Sequence, residues 1–255
     1  KYLIGLKIME FLIKKCLKLL IVELVFAWLL IQKIYIKYKN FFQKNTSPMW
    51  LDEYLKEIKK LDSMAELIGN NKIKTAVFIS GRGSNLLNLI KFSRQKKSPI
   101  SIDLIISDKK AIGLKYAKKF KIQKKIISFK NKKLAEKKIL YELKQRKIKF
   151  VCLAGFMKIL SKNFIRNFKK KIINIHPSYL PKYKGLNTGV RALRNKEKFS
   201  GCTVHYVTSK LDSGKIILQK KVMISKNETE KSLDKKIIRE EHKLYPKAIL
   251  KIFNL

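Results

Sequence analysis

Residues 74–85 read KTAVFISGRGSN. A short β-branched and aromatic run, 74–80, meets a turn with glycine at 81 and 83, and apolar residues then recur at 86, 87, 89 and 90. The spacing changes from that of a strand to that of a helix, which predicts a strand, a glycine turn and a helix over 86–93. In such a unit the backbone N–H groups opening the helix, together with its dipole, favour an anion such as a phosphate. Gly83 permits close approach of the backbone, and Ser84 and Asn85 add side-chain donors or cap the helix. The stretch lacks the Gly-Lys-Ser/Thr of a P-loop and is too short for a dinucleotide fingerprint. Alone it reads equally well as a phosphate cradle or an ordinary strand-to-helix turn.

Outward from this unit the alternation continues. Strands are expected at 100–107, 125–129, 149–153 and 172–175, and helices at 111–120 and 132–147. Short strands alternating with helices predict an α/β fold, a mostly parallel twisted sheet with helices on both faces. The later segments differ. Residues 202–208 and 215–222 flank the turn Leu211-Asp212-Ser213-Gly214 as an antiparallel hairpin would, and 228–253 reads as a long closing helix.

Chemistry concentrates at the end of the fifth strand, in Ile172-Ile173-Asn174-Ile175-His176-Pro177-Ser178. Asn174 and His176 are two apart on one strand and so face the same side. Pro177 ends the strand, and ligands of open α/β sheets gather at such carboxyl ends. A lone histidine is more often structural, but an Asn/His pair on one face favours function. Asp212, read by itself, is a turn aspartate. His205 is ambiguous between packing and chemistry.

Composition constrains the partners. The 255 residues hold 60 Lys+Arg against 18 Asp+Glu, a formal net charge of +42. That excess raises the question of nucleic acid or an anionic membrane. It is nearly all lysine, is spread along the chain, and comes with abundant Ile, Asn and Phe, as an A/T-rich coding bias produces. It therefore reads as a solvated surface that would still attract an anionic small substrate. The three cysteines, Cys16, Cys152 and Cys202, lie far apart with no CxxC. Neither a disulfide framework nor a zinc site is expected, and a reducing cytoplasm fits.

The chain changes character near Gly69-Asn70-Asn71, predicting an N-terminal extension over 1–71 and a separate domain over 72–255. The extension holds one apolar tract, 19–31 (LLIVELVFAWLLI), interrupted by Glu23. A membrane span needs about twenty residues, and no small-residue cleavage site follows the tract. No stable membrane association is expected.

Six segments occur in an order and spacing similar to that of one family: SGRGSNL, LAGFMKIL, NIHPSYLPKYKGLNT, GCTVHYV, LDSGKIILQ and EEHKLYP. From about residue 74 to 253 the chain resembles the phosphoribosylglycinamide formyltransferases of purine synthesis. The resemblance implies a formyltransferase-like Rossmann-type fold, with 10-formyltetrahydrofolate as co-substrate, glycinamide ribonucleotide as acceptor and no metal. It implies that the ribonucleotide phosphate lies on Gly83, Ser84 and Asn85, with Glu241 as a further ribonucleotide contact. It implies that the folate lies along Met157, Lys158, Ile159 and Leu160, near Lys132 and Asn174. Asn174, His176 and Asp212 become the catalytic set. The Asn174 amide and a protonated His176 face the developing charge on the formyl oxygen. Asp212 favours the charged ring and helps move protons.

Lys132 and Lys158 stand where the family often has arginine, keeping charge but losing the bidentate fork. Asn187 replaces a usual histidine and Thr203 a usual serine. Two related activities share the Asn-His-Asp set. Methionyl-tRNA formyltransferase lacks the Tyr-x-Gly-Leu-x-Thr continuation present here at 183–188, and carries an RNA-binding domain not expected here. Formyltetrahydrofolate hydrolase has His-His where this chain has His176-Pro177. From a different class, a membrane-anchored or nucleic-acid-binding protein without catalysis would not need all of Asn174, His176 and Asp212. Residues 1–71 invite a separate expectation. Back-translated and read one nucleotide earlier, residues 21–28 resemble a glycine-rich stretch of aminoimidazole ribonucleotide synthetase. The segment is thus expected to be an out-of-frame translation of an upstream gene, with a native start at Met64 or near Lys72.

Overall fold

The computed structural model describes residues 72–255, which form one compact unit. The expectations for residues 1–71, including the tract at 19–31 and Cys16, lie outside the described residues. Strand β1 (Ile73–Ile79) and helix α1 (Ser84–Ser93) form where the periodicity changes. The chain continues through β2 (Ile100–Ser107), a 3-10 turn (Ile112–Leu114), α2 (Lys115–Lys119), β3 (Gln123–Ile126), α3 (Lys132–Gln145) and β4 (Phe150–Leu153). It then runs through α4 (Lys162–Phe168), β5 (Lys171–His176), α5 (Thr188–Arg194), β6 (Phe199–Tyr206), β7 (Ile216–Met223) and α6 (Glu230–Ile252).

The seven strands form one sheet in the order β3-β2-β1-β4-β5-β6-β7. The first five pair in parallel, and β5-β6 and β6-β7 are antiparallel. Along β1 successive side chains enter opposite cores. Val77 and Ile79 pack with Leu86, Leu89 and the α6 residues Tyr245 and Ile249 on one face. Ala76 and Phe78 pack with Ile139, Leu143 and Phe164 of α3 and α4 on the other. Burial on both faces explains why this strand reads as a continuous apolar run rather than an alternating one. The order reverses between β1 and β4, so a crevice opens outside their carboxyl ends, where ligands of such sheets bind.

Several boundaries differ from expectation for local reasons. The helix expected over 111–120 is a 3-10 turn and a five-residue helix, because Gly113 is drawn onto the glycine turn, donating its N–H to the Gly81 carbonyl. The strand expected at 125–129 begins earlier and ends at Ile126. The chain then turns so that Phe129 meets Phe156 edge-on. Helices α4 and α5 were not foreseen, each being seven residues long, too short for periodicity to register. Strand β6 starts at Phe199 because Ser200 and Gly201, which look like turn residues, pair with Val222 and Lys221 of β7.

Candidate active site

The carboxyl ends of β1, β4 and β5 lie side by side, and the loops leaving them build the site. At the end of β1, Gly83 caps α1 with φ 76°. A Cβ there would lie 2.8 Å from the Gly113 Cα, so glycine is required both by conformation and by the close backbone approach. No side chain caps α1, which leaves its opening N–H groups to other acceptors. Asn85, just inside the helix, donates to Glu241 of α6 at 2.8 Å. Both are buried. Burial pushes the Glu241 carboxyl up to about 7, against the opposing hydrogen bond from Asn85. The Asn85 Oδ1 is buried without a hydrogen-bond partner among the described residues.

The loop leaving β4 is tied to this turn. Ser80 donates its N–H to the Gly155 carbonyl and accepts from the Met157 N–H at 2.9 Å. Met157 and Ile159 are 59% and 50% exposed, whereas Leu160 is 2% exposed and belongs to the core. Of this segment, then, Met157, Lys158 and Ile159 offer side chains, and Leu160 only main chain. Lys158 lies 3.8 Å from the buried carboxylate of Asp108. Lys132 is exposed at the start of α3. One turn on, Glu136 accepts from the N–H and hydroxyl of Ser161, which brings α3 against the same segment.

At the end of β5 the register decides which side chains meet. Asn174 lies opposite His205 and His176 opposite Thr203 on β6. The turn after β6 then folds back. Gly214 sits so close that a Cβ would fall 1.6 Å from the Tyr206 carbonyl oxygen, and this tight return delivers Asp212 to the site. Asp212 Oδ2 lies 3.4 Å from His176 Nδ1 and accepts from the Gly185 N–H, and Oδ1 lies 3.6 Å from His205 Nε2. His205 Nδ1 faces the Tyr206 carbonyl at 2.9 Å, so that nitrogen carries the proton. Its Nε2 is then free to accept from Asn174 Nδ2, 3.3 Å away. The Asn174 amide keeps its second N–H for a ligand.

Charge follows from these contacts. Burial works against the Asp212 carboxylate. The contact with His205, the Gly185 hydrogen bond and the charge of His176 outweigh it and hold Asp212 below its ordinary value. For His176 burial wins. The Tyr183 carbonyl and Asp212 raise it, His205 and Arg191 oppose, and the net shift is downward. The imidazolium expected from Asp212 alone is thus offset by desolvation. No group of three or more His, Cys, Asp or Glu among the described residues could hold a metal ion. No helix among them is long and apolar enough to cross a membrane. Cys152 and Cys202 are free and buried.

The chain that builds this crevice has counterparts among known proteins. The family described as formyl transferase matches residues 73–249. The chain is 36% identical to phosphoribosylglycinamide formyltransferase of Escherichia coli (strain K12) over 177 residues, covering 68% of this chain and 84% of that protein. The chain belongs to the formyl transferase family. The crystal structure of phosphoribosylglycinamide formyltransferase from Anaplasma phagocytophilum matches with a TM-score of 0.67 at 39% identity, covering 71% of this chain and 87% of that one. The human trifunctional purine biosynthetic protein adenosine-3 is 41% identical over 182 residues, 70% of this chain. The chain spans only 18% of that relative's length.

Relative to the residues expected of a formyl transferase, the geometry groups Asn174, His176 and Asp212 at one point, and Gly83, Ser84, Asn85 and Glu241 at another. His205, ambiguous in the sequence, stands between Asn174 and Asp212. Only the β5-β6 register could have placed it there. Asn187 begins α5 with φ 55°, makes no capping bond and is exposed. Thr203 has a definite use for its hydroxyl, which donates to the Ser178 carbonyl and accepts from the Leu180 N–H.

Proposed function

We propose that this chain transfers the formyl group of 10-formyltetrahydrofolate to the amine of glycinamide ribonucleotide, yielding formylglycinamide ribonucleotide and tetrahydrofolate in cytoplasmic purine synthesis. The observation that carries the reading is Asp212 bridging His176 and His205 beside the Asn174 amide, at the end of a buried strand. Residues 72–255 carry the activity, and residues 1–71 are an out-of-frame extension. Neither nucleic acid nor a membrane takes part.

The ribonucleotide phosphate would rest on Gly83, Ser84 and Asn85, where uncapped N–H groups and the helix dipole favour negative charge. Glu241 and the open Asn85 Oδ1 are buried acceptors, suited to the donors of a ribose or amine. Folate would lie along Met157 to Leu160, with the exposed apolar side chains against its ring and with Lys132 and Lys158 near its acidic groups. The amine attacks the formyl carbon, and negative charge builds on the formyl oxygen. The free Asn174 N–H is the donor for that charge, and His176 beside it supplies positive charge once protonated, a state the developing oxyanion itself favours. The bond from the formyl carbon to the folate nitrogen then breaks. The amine's proton passes to that nitrogen by way of His176, Asp212 and water.

The test offers glycinamide ribonucleotide and initiator tRNA as separate acceptors with formyl folate. Transfer to the ribonucleotide alone is expected, and His176→Ala should nearly abolish it while the protein stays folded. Transfer to tRNA instead, or His176→Ala within tenfold of the parent, overturns the reading. An upstream reading frame without stop codons near the position of residue 70 overturns the view of residues 1–71.

A further inference from the structure

His176 is flanked by two acceptors. Its Nε2 lies 2.9 Å from the Tyr183 carbonyl oxygen, and its Nδ1 lies 3.4 Å from Asp212 Oδ2. A neutral imidazole has one N–H and can satisfy only one of them. The shorter contact is to Tyr183, and a carbonyl only accepts, so the proton of the neutral ring belongs on Nε2. That leaves the Nδ1 lone pair facing a carboxylate, an arrangement relieved only when Nδ1 takes up a proton.

Tyr183 is unusually constrained for a loop residue. Its φ is 57°, a left-handed conformation that bulky side chains avoid. Its hydroxyl donates to Glu197 at 2.8 Å and accepts from Asn195 Nδ2 at 2.9 Å. Lys182 donates to both oxygens of the same Glu197, at 2.9 and 3.0 Å. Arg191 stacks its guanidinium 5.1 Å from the ring centroid while donating to the Lys184 carbonyl. Ring face and ring tip are therefore both held, at the far end of the residue from the carbonyl that meets His176.

We propose that Tyr183 is a positioning residue whose clamped ring aims its main-chain carbonyl at His176 Nε2, fixing the tautomer so that Nδ1, the nitrogen facing Asp212, is the one that gains and loses a proton. The inference rests on the formyl-transfer reading for its purpose, but not for its geometry. Charged and titratable groups reach His176 from three elements besides its own strand: Asp212 from the β6-β7 turn, His205 from β6 and Arg191 from α5. Burial lowers the affinity of His176 for a proton, His205 and Arg191 lower it further, and the Tyr183 carbonyl with Asp212 oppose them. Loosening Tyr183 therefore moves the titration of His176 to lower pH. Activity that depends on the protonated ring then declines at lower pH as well.

The chain has only three histidines, so ¹⁵N spectra of its imidazoles can be assigned residue by residue, and the ring nitrogens report the tautomer directly. In the parent, neutral His176 should carry its proton on Nε2 and titrate at Nδ1. Tyr183→Gly keeps the left-handed backbone but removes the clamp. It should mix the tautomers and lower the titration by roughly half a unit, about a threefold loss of kcat above that pH with little change in KM. Glu197→Gln, a change away from His176, should shift in the same direction by less. A parent ring protonated on Nδ1, or both variants with the parent's tautomer and titration and only a lower Tm, would overturn the proposal. A parent with the stated tautomer but no formyl transfer would reject the reaction and leave the positioning role intact.

Discussion

Replacing Asp212 by asparagine keeps the shape of the site and removes its charge. The carboxylate lies 3.4 Å from His176 Nδ1, with both side chains under 10% exposed. At that 3.4 Å separation and an effective dielectric of about 20, a unit charge pair attracts by about 5 kcal/mol. Asparagine can still accept the Gly185 N–H on the oxygen that faces Nδ1, so the ring keeps a neutral acceptor there while the amino group turns towards His205 Nε2. It also escapes the burial cost that Asp212 bears, and surrounding groups relax. Taking these to offset about 2 kcal/mol leaves ~3 kcal/mol of lost support for the imidazolium, or roughly 10²-fold in kcat. His176 already sits below its ordinary value, so the variant's titration falls further. The protonated ring is lost as pH rises through that value, so the decline of kcat should move to lower pH. Steady-state rates from pH 5.5 to 8.5, with Tm as a control for folding, read both effects. A variant within tenfold of the parent at neutral pH, or one that raises KM with kcat unchanged, would refute the reasoning.

Other expectations concern the remaining parts of the site. Asn174→Ala removes the donor beside His205 and should lower kcat by about 10²–10³ with KM little changed. A rise in KM alone would reassign it to binding. Gly83→Ala meets the Gly113 backbone at 2.8 Å and must hold φ near 76°. A loss of about 2–3 kcal/mol by urea unfolding is expected, with a raised KM for the ribonucleotide; parental stability would contradict the close packing. Burial of Glu241 raises its pKa to about 7, so its contribution to stability is fully present below the unfolded value near 4.5 and is lost as pH rises through 7. Urea unfolding at pH 5 and pH 8 should show about 3 kcal/mol of this in the parent and not in Glu241→Gln. Equal pH dependence in the two proteins would contradict it.

How much was legible in the sequence depended on the range of the interaction. Strand-helix alternation marked the five parallel strands and a hairpin pattern the last two, because period, β-branching and turn chemistry act within a few residues. It missed α4 and α5 and misplaced β3, where short segments follow tertiary contacts such as Phe129 against Phe156. Gly83, Ser84 and Asn85 were visible as a turn, since a strand running into a helix through glycines is a local pattern. That Asn85 would meet Glu241, 156 positions later, was not visible from local pattern.

The same division holds for the proposed catalytic group. Asn174 and His176 announced themselves by sharing a face at a strand end, a consequence of the twofold repeat of extended backbone. Asp212 looked like any turn aspartate, and His205 could equally have been packing. Their meeting required the β5-β6 register to set His205 opposite Asn174, and Gly214 pressed onto Tyr206 to turn Asp212 inward. The sequence by itself determined an α/β sheet and the strand end where chemistry would gather, because backbone periodicity is written locally. Only the tertiary structure decided which groups surround His176, and so where its proton sits, because register, burial and a clamped tyrosine are set by contacts between distant parts of the chain.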